Sequence, residues 1–198
     1  MTLPKPYLSH SAMDLWLTNK PRFRLRYYEN NDPFEGNMYT RFGKKVHDDI
    51  EHGLLPHVPV GTHHEHVISV TVAEVPLYAR IDSITLATGT VYEHKTGLSP
   101  WTQNKVNKHN QLPFYLAMIR AKHGAYDHLC HLNWLETRLD TIDTIIDGFT
   151  FEDTTLNLTG RCETFDREID DPELDAFETF IHDTALEIAT DYASFTSR

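Results

Sequence analysis

Two apolar segments that carry charged residues near their ends constrain the fold of this chain most strongly. Residues 75–84 and 90–95 are rich in β-branched and aromatic side chains, and a short turn containing a glycine separates them. The pattern predicts a β-hairpin. Because side chains alternate between the two faces of a strand, Glu93 and Lys95 point the same way, and Asp82 on the paired strand lies close to them.

Two carboxylates and one ammonium group in one place can hold a divalent cation. Charges are costly to bury unpaired, and a hard ion such as Mg²⁺ or Mn²⁺ would stabilise Asp82 and Glu93. His94 points to the opposite face and offers its backbone carbonyl. Lys95 can orient or deprotonate a metal-bound water, or stabilise negative charge on a phosphate. A surface ion pair across a hairpin is the alternative explanation of the same charges.

The spacing of these residues resembles a known family signature. Asp82 followed by Glu93-His94-Lys95-Thr96-Gly97 is similar to the active-site motif of the PD-(D/E)XK nuclease superfamily, specifically its RecB-like branch. Three further stretches resemble that branch in the expected order. Residues 8–27 resemble its opening helix and the segment after it, residues 41–51 its Gly-x-x-x-His helix, and residues 111–115 its Gln-x-x-x-Tyr helix.

The resemblance implies an α/β, restriction-endonuclease-like fold, in which helices flank a mixed central β-sheet. The length is typical of a single domain, here residues 1–198, with additional strands and a helix at the C-terminal end. The predicted elements are two N-terminal helices, a strand over 65–72, the hairpin, a helix over 104–123, a strand over 126–135, strand-like runs near 141–151 and 155–166, and a helix from residue 171. The predicted turns are Ala87-Thr88-Gly89 in the hairpin and, further on, Asp147-Gly148 or Glu152-Asp153.

For function, the resemblance implies a metal-dependent DNA nuclease that hydrolyses phosphodiester bonds. The catalytic residues that it implies are Asp82, Glu93 and Lys95. The ligands that it implies for one or two Mg²⁺ or Mn²⁺ ions are His47, Asp82, Glu93 and the backbone carbonyl of His94. It also associates Gln111 and Tyr115 with DNA contact near the active site.

Several of these residues also have ordinary structural explanations. His47 lies on an apolar helix stripe, where packed histidines are common; as a ligand it would suit Mn²⁺ better than Mg²⁺. Gln111 and Tyr115 are four residues apart, and the polar stripe of an amphipathic helix also accounts for them. Pro113 is compatible with a first helical turn, so we expect the helix proper to begin close to Gln111. The branch usually has a glycine shortly before its first acid. Arg80 stands in that region and is either a substrate contact or an obstruction.

The charge is unevenly distributed along the chain. The formal net charge is -11, but residues 1–45 hold eight Lys or Arg against four acids, whereas residues 136–198 hold four against seventeen. The basic part, which includes Arg41 and Lys44, predicts contact with DNA phosphates; solvated helix faces are the alternative. The basic residues expected around the site also include Lys20, Arg22, Arg24, Arg26, Lys45, Lys105, Lys108, Arg120 and Lys122. The acidic C-terminal region could contact a basic protein partner, weaken non-specific DNA binding or promote solubility.

Cysteine and histidine usage limits other metal sites. Only Cys130 and Cys162 are present, so the iron–sulfur cluster that some RecB-like nucleases carry is not expected. His63-His64-Glu65-His66 could suggest zinc, but adjacent residues of a strand face opposite sides, so at most two of the four converge. RecB-like enzymes often have an acid on the strand before the hairpin, which makes Glu65 a candidate outer metal contact.

We interpret the chain as a metal-dependent deoxyribonuclease, an exonuclease acting on linear DNA ends in recombination, repair or phage DNA processing. A non-catalytic DNA-binding or assembly subunit with the same fold is the alternative, and a sequence-specific endonuclease is a third reading. A homo-oligomer is compatible with the sequence. The chain lacks an apolar run that could span a bilayer and lacks a signal peptide, so we expect a soluble, cytoplasmic protein without membrane contact.

Overall fold

A mixed five-stranded β-sheet forms the centre of the computed structural model, which describes residues 1–32, 36–124, 126–146 and 149–197. Its strands, in both chain order and spatial order, are β1 (His63–Val72), β2 (Val75–Thr85), β3 (Thr90–Gly97), β4 (Leu129–Ile146) and β5 (Phe149–Glu168). Neighbouring strands are antiparallel except β3 and β4, which are parallel. This is the mixed α/β architecture that the sequence predicts, and the predicted hairpin is β2 and β3.

Six helices flank the sheet in the described residues. They are α1 (His10–Thr18), α2 (Lys20–Tyr27), α3 (Met38–Glu51), α4 (Gln103–Asn107), α5 (Gln111–His123) and α6 (Asp171–Thr196). α4 and α5 connect β3 to β4, because parallel strands cannot be joined by a tight turn. Within the described ranges, no helix is long and apolar enough to cross a membrane.

The N-terminal region contains three helices where the sequence predicts two. Asn19 ends α1, and its side chain caps α2 by accepting the backbone N–H of Arg22 at 3.0 Å. Pro21 lies in the first turn of α2, where its missing N–H removes no helical hydrogen bond. A good cap and a proline at the same point therefore start a new helix.

The helix predicted over residues 104–123 is interrupted between α4 and α5. The buried guanidinium of Arg167, on β5, donates hydrogen bonds to the carbonyl oxygens of Val106 at 3.2 Å and His109 at 2.7 Å. A distant residue thus adds side-chain hydrogen bonds to carbonyl groups at and just after the end of α4. α5 then begins at Gln111, as the sequence predicts.

The C-terminal strands are longer and fewer than predicted. β4 continues to Ile146, and β5 pairs with it from Phe149 onward, where two separate strand-like runs were expected. One long hairpin satisfies the backbone hydrogen bonds of both runs. Glu152 and Asp153 lie within β5, so the turn predicted there is wrong, and the Asp147-Gly148 turn lies outside the described residues.

Helices cover both faces of the sheet. α1, α5 and α6 share one hydrophobic core with buried residues of the sheet, including Leu132 and Trp134 of β4. α3 belongs to a second cluster, in which Val46 and Ile50 lie with Leu135. Because neighbouring residues of a strand face opposite sides, β4 contributes to both clusters. α3 and α5 therefore contact β3 from opposite faces.

Gly61, just before β1, lies against the backbone of β2. A Cβ atom at this position would be 2.2 Å from the carbonyl carbon of Ile84, and the Gly61 N–H donates to Ser83 Oγ at 2.6 Å. Gly61→Ala should lower the free energy of unfolding by about 2 kcal/mol, because the backbone must shift to make room. Urea denaturation measures this change. As a control, a Cβ at Gly97 would lie 3.6 Å from Trp134 Nε1, an ordinary contact. Equal effects of Gly61→Ala and Gly97→Ala would contradict the prediction.

Candidate active site

β2 and β3 separate at Asp82, and the separation opens the site. The paired residues of the two strands end at Ser83 and Tyr92. Asp82 Oδ2 then accepts the backbone N–H of His94 at 2.9 Å, so a side chain replaces a backbone partner. This hydrogen bond fixes the carboxylate beside β3.

Glu93 is almost fully buried, with a relative exposure of 1%. Its Oε1 accepts a hydrogen bond from the Lys95 ammonium group, which also donates to Gln111 Oε1 at 2.9 Å. Its Oε2 has no hydrogen-bond partner among the described residues. Because a buried carboxylate oxygen without a partner is destabilising, this atom is suited to a ligand that the protein itself does not supply.

Burial and mutual repulsion shift the pKa values of the two acids. The pKa of Glu93 is raised to about 7, first by burial and then by the negative charge of Asp82. Burial also raises the pKa of Asp82, against the opposing charge of Lys95. Burial acts to lower the pKa of Lys95, but the charges of Glu93 and Asp82 outweigh it, so the pKa is raised. The two acids therefore favour an additional positive charge beside them.

α3 brings His47 to the same place. Gly43 allows a close approach of α3 to β3, because a Cβ there would lie 3.3 Å from Thr96 Oγ1. One turn further along α3, His47 Nε2 lies 3.1 Å from the carbonyl oxygen of His94, and Nδ1 lies 3.5 Å from Asp82 Oδ1. The structure thus brings together the predicted ligands His47, Asp82 and the His94 carbonyl.

Glu65 of β1 joins this group. One ligand atom each from Glu65, His47 and Asp82 form a cluster in which all atoms lie within 4.8 Å of one another. Glu65 has a φ of 47°, which is uncommon outside glycine and is typical of strained functional positions. Its Oε2 also forms an ion pair with Arg80 Nε at 2.8 Å. The neighbouring histidines 63, 64 and 66 do not belong to this cluster in the described residues.

The donor set fits a divalent cation. Carboxylate and carbonyl oxygens suit Mg²⁺ and Mn²⁺, and the imidazole of His47 adds a preference for Mn²⁺. Glu93 is outside the three-residue cluster, but its unpartnered Oε2 is available as a further ligand. The site can therefore hold a cation beside a fixed ammonium group.

Comparison with known families agrees with this geometry. The sequence profile of the PD-(D/E)XK nuclease superfamily matches residues 50–195, which include Asp82, Glu93 and Lys95. The chain belongs to the PD-(D/E)XK nuclease superfamily. Membership supports a nuclease that depends on a divalent metal. Among curated proteins, none matches this chain significantly in sequence.

Two solved structures are similar to this PD-(D/E)XK nuclease. The protein SSO0001 superposes with a TM-score of 0.51 at 14% sequence identity, over 92% of this chain and 76% of that one. A candidate exonuclease from Eubacterium rectale superposes with a TM-score of 0.56 at 8% identity, over 93% and 79% of the two chains. At these identities the likeness concerns the fold, and the restriction-endonuclease-like fold expected from the sequence is confirmed.

In this PD-(D/E)XK nuclease, the start of α5 holds the lysine in place. Gln111 accepts a hydrogen bond from Lys95, and Gln111 Nε2 donates to the Tyr115 hydroxyl at 2.5 Å. The Tyr115 hydroxyl donates to the backbone carbonyl of Arg80 at 3.2 Å. Tyr115 is buried, and its hydroxyl is used within the protein, so it positions Gln111. DNA contact by either residue stays a prediction.

The site opens into a cleft of about 1140 Å³. Lys44 lines this cleft from α3, as do Gln111 and Tyr115 from α5. Arg41 is exposed and lies outside the residues that line it. Lys44 therefore borders the cleft and Arg41 lies outside it, and contact of either residue with DNA stays a prediction.

Many residues of the predicted basic patch form ion pairs with acidic residues of the same chain. The pairs are Lys20–Glu187, Arg24–Asp191, Arg22 and Arg26 with Asp32, and Arg120 with Asp175 and Glu178. The hydrogen bond from Arg24 lowers the pKa of Asp191, as expected for an acid beside a guanidinium. The pairs of Lys20 and Arg24 join α2 to the acidic α6. These ion pairs neutralise part of the basic region, and its contact with DNA stays a prediction.

The raised pKa of Glu93 makes the metal-free protein sensitive to pH. In the folded state the pKa of the Glu93 carboxyl group is about 7, whereas its reference value is 4.5. Proton binding to Glu93 therefore stabilises the folded state fully below pH 4.5, and this stabilisation is lost as the pH rises through 7. In EDTA at pH 8, Glu93→Gln should therefore be more stable than wild type, by about 1 to 3 kcal/mol. Urea denaturation at pH 5 and pH 8 tests this.

Glu168→Gln, at an exposed acid of β5, serves as the control and should change the stability by less than about 0.5 kcal/mol. Saturating Mn²⁺ should stabilise wild type more than Glu93→Gln, because the variant lacks one negative charge at the site. A Glu93→Gln variant that is less stable than wild type in EDTA at pH 8 would contradict the account.

Proposed function

We propose that the protein is a divalent-metal-dependent deoxyribonuclease of the RecB-like branch that hydrolyses phosphodiester bonds at DNA ends. The observation that carries the proposal is the unpartnered, buried Oε2 of Glu93 beside Asp82, with the Lys95 ammonium group held against the same carboxylate. One or two Mg²⁺ or Mn²⁺ ions suit this set of oxygen donors and its imidazole.

The metal-binding residues and Lys95 have different roles in phosphodiester hydrolysis. A Mg²⁺ or Mn²⁺ ion held by His47, Asp82, Glu93 and the His94 carbonyl would acidify a bound water and offset negative charge on the phosphate. Lys95 orients the attacking water and stabilises charge on the phosphate. Its raised pKa keeps the ammonium group protonated near neutral pH, which favours hydrogen-bond donation over proton abstraction. The attacking water releases a proton to solvent and its oxygen bonds to phosphorus in line. The bond from phosphorus to the 3′ oxygen breaks, and the 3′ oxygen takes up a proton from solvent.

The proposal that the enzyme acts on DNA ends is based on its resemblance to RecB-like nucleases. RecB-like nucleases commonly degrade DNA from its ends, and the Eubacterium rectale neighbour carries the name of a candidate exonuclease. Recombination, repair or phage DNA processing is the proposed setting on the same grounds. The acidic α6 stays a proposed contact for a basic protein partner, through the acids that the N-terminal helices leave exposed. A homo-oligomer is likewise proposed.

Cleavage of end-labelled linear DNA and of covalently closed circular DNA tests the proposal directly. With Mg²⁺ or Mn²⁺, wild type should degrade linear DNA and leave the circle intact. Lys95→Ala should reduce the rate at least about 100-fold, because the charge that develops on the phosphate loses its positioned ammonium group. Lys122→Ala, at an exposed lysine of α5 outside the cleft, should match wild type.

The other outcomes separate the alternatives. Cutting of the circle at a comparable rate would identify an endonuclease and contradict the end specificity. Failure of wild type to cleave single- or double-stranded DNA, although it binds metal, would overturn the nuclease and favour the non-catalytic subunit.

A further inference from the structure

A row of three residues on β2 leads away from the metal residues. Along Val75–Ile81, buried residues alternate with more exposed ones, so Tyr78, Arg80 and Asp82 share the face opposite the core. All three line the cleft. Residues two apart in a strand are separated by about 7 Å, which sets an aromatic ring, a guanidinium group and a metal-binding carboxylate in line.

The chain before α1 adds a second aromatic ring at the end of this row. Leu8 pairs with β2 through hydrogen bonds from its N–H to the Pro76 carbonyl at 2.8 Å and from the Tyr78 N–H to the Leu8 carbonyl at 3.1 Å. This pairing places the Tyr7 ring against the Tyr78 ring, with centroids 4.9 Å apart and planes inclined by 33°. Tyr7 also lines the cleft, although 43% of its surface is exposed.

Arg80 lies between the aromatic pair and the site. Its side chain is 64% exposed, and the ion pair with Glu65 uses its Nε atom. A guanidinium group has five N–H donors, so the Arg80 side chain can contact a phosphate while it remains beside Glu65. Arg80 thus connects the aromatic pair to the metal-binding cluster.

The cleft has more acidic than basic residues, so a nucleic acid bound there must also be recognised through groups other than its phosphates. The lysine and arginine residues that line it are Lys44, Arg80 and Lys95, and the acids that line it are Asp48, Glu51, Glu65, Asp82 and Glu93. Duplex DNA is held mainly through many phosphate contacts, which this lining does not offer. Unpaired bases stack on aromatic side chains, and one stacked base contributes about 1 to 3 kcal/mol.

We propose that Tyr7, Tyr78 and Arg80 form a subsite for unpaired nucleotides, so that the DNA end enters the cleft as a single strand. A base stacks on the Tyr7 ring, which Tyr78 supports, and Arg80 contacts the phosphate between that base and the scissile bond. The inference rests on the proposed function, because it takes DNA as the substrate.

Binding without cleavage tests the subsite. In EDTA, fluorescence anisotropy should show that wild type binds a short single-stranded oligothymidylate more tightly than blunt duplex DNA of equal length. Tyr7→Ala should weaken binding of the single strand by about 5-fold to 150-fold, because one stacked base is lost. Tyr7→Phe, which keeps the ring, should bind like wild type. Phe195→Ala removes an exposed ring of α6 outside the cleft and should also bind like wild type.

An abasic oligonucleotide of the same length separates stacking from a general loss of structure. Wild type should bind it weakly, and Tyr7→Ala should bind it as wild type does, because no base is available to stack. Arg80→Met should weaken binding of both the abasic and the normal strand, because the lost contact is to phosphate.

Three results would overturn the subsite. They are equal binding of the normal strand by wild type and Tyr7→Ala, an equal loss on the normal and abasic strands, and preference of wild type for the duplex. If wild type still degrades linear DNA in the presence of metal, only the subsite proposal is rejected and the proposed nuclease function is retained. Absence of both binding and cleavage would remove the subsite together with the proposed function.

Discussion

The site depends on a carboxylate that the protein buries beside another carboxylate. Glu93 is almost inaccessible, its pKa is raised to about 7, and one of its oxygens has no partner in the described part of the chain. Lys95 offsets part of this charge and is itself held by Gln111. Native proteins rarely leave a buried charge incompletely satisfied unless a ligand completes it. The local arrangement is therefore less stable without a cation than with one, as a metal-dependent enzyme requires.

The charged residues are held in place because helices pack closely against the site strands from both faces of the sheet. The separation of β2 from β3 lets Asp82 bond to the His94 backbone, and Gly43 lets α3 carry His47 to the same carbonyl group. On the other face, the crossover between β3 and β4 starts α5 next to the end of β3. Tyr115 then fixes Gln111 from within the core. Each ligand thus depends on a backbone contact that is set by packing.

Features with local signals could be predicted from the sequence, and features set by distant contacts could not. The hairpin and the start of α5 follow from strand patterning, turn residues and Pro113. The break before α5 depends on Arg167, which lies more than fifty residues away, and the pairing of Arg24 with Asp191 joins opposite ends of the chain. Glu65 was expected only as an outer metal contact, but its side chain lies in the cluster with His47 and Asp82. Its backbone has the left-handed conformation, and no local sequence pattern predicts this.

We propose that a divalent cation completes the coordination of the buried acids. Crystals grown with Mn²⁺ would locate the ion by its anomalous scattering. We expect a peak at about 2.1 Å from oxygens of Asp82 and Glu93, with His47 and the His94 carbonyl as further ligands. Glu93 should then have no unpartnered oxygen. A well-ordered site without a peak at saturating Mn²⁺, or a peak that leaves Glu93 uncoordinated, would contradict it.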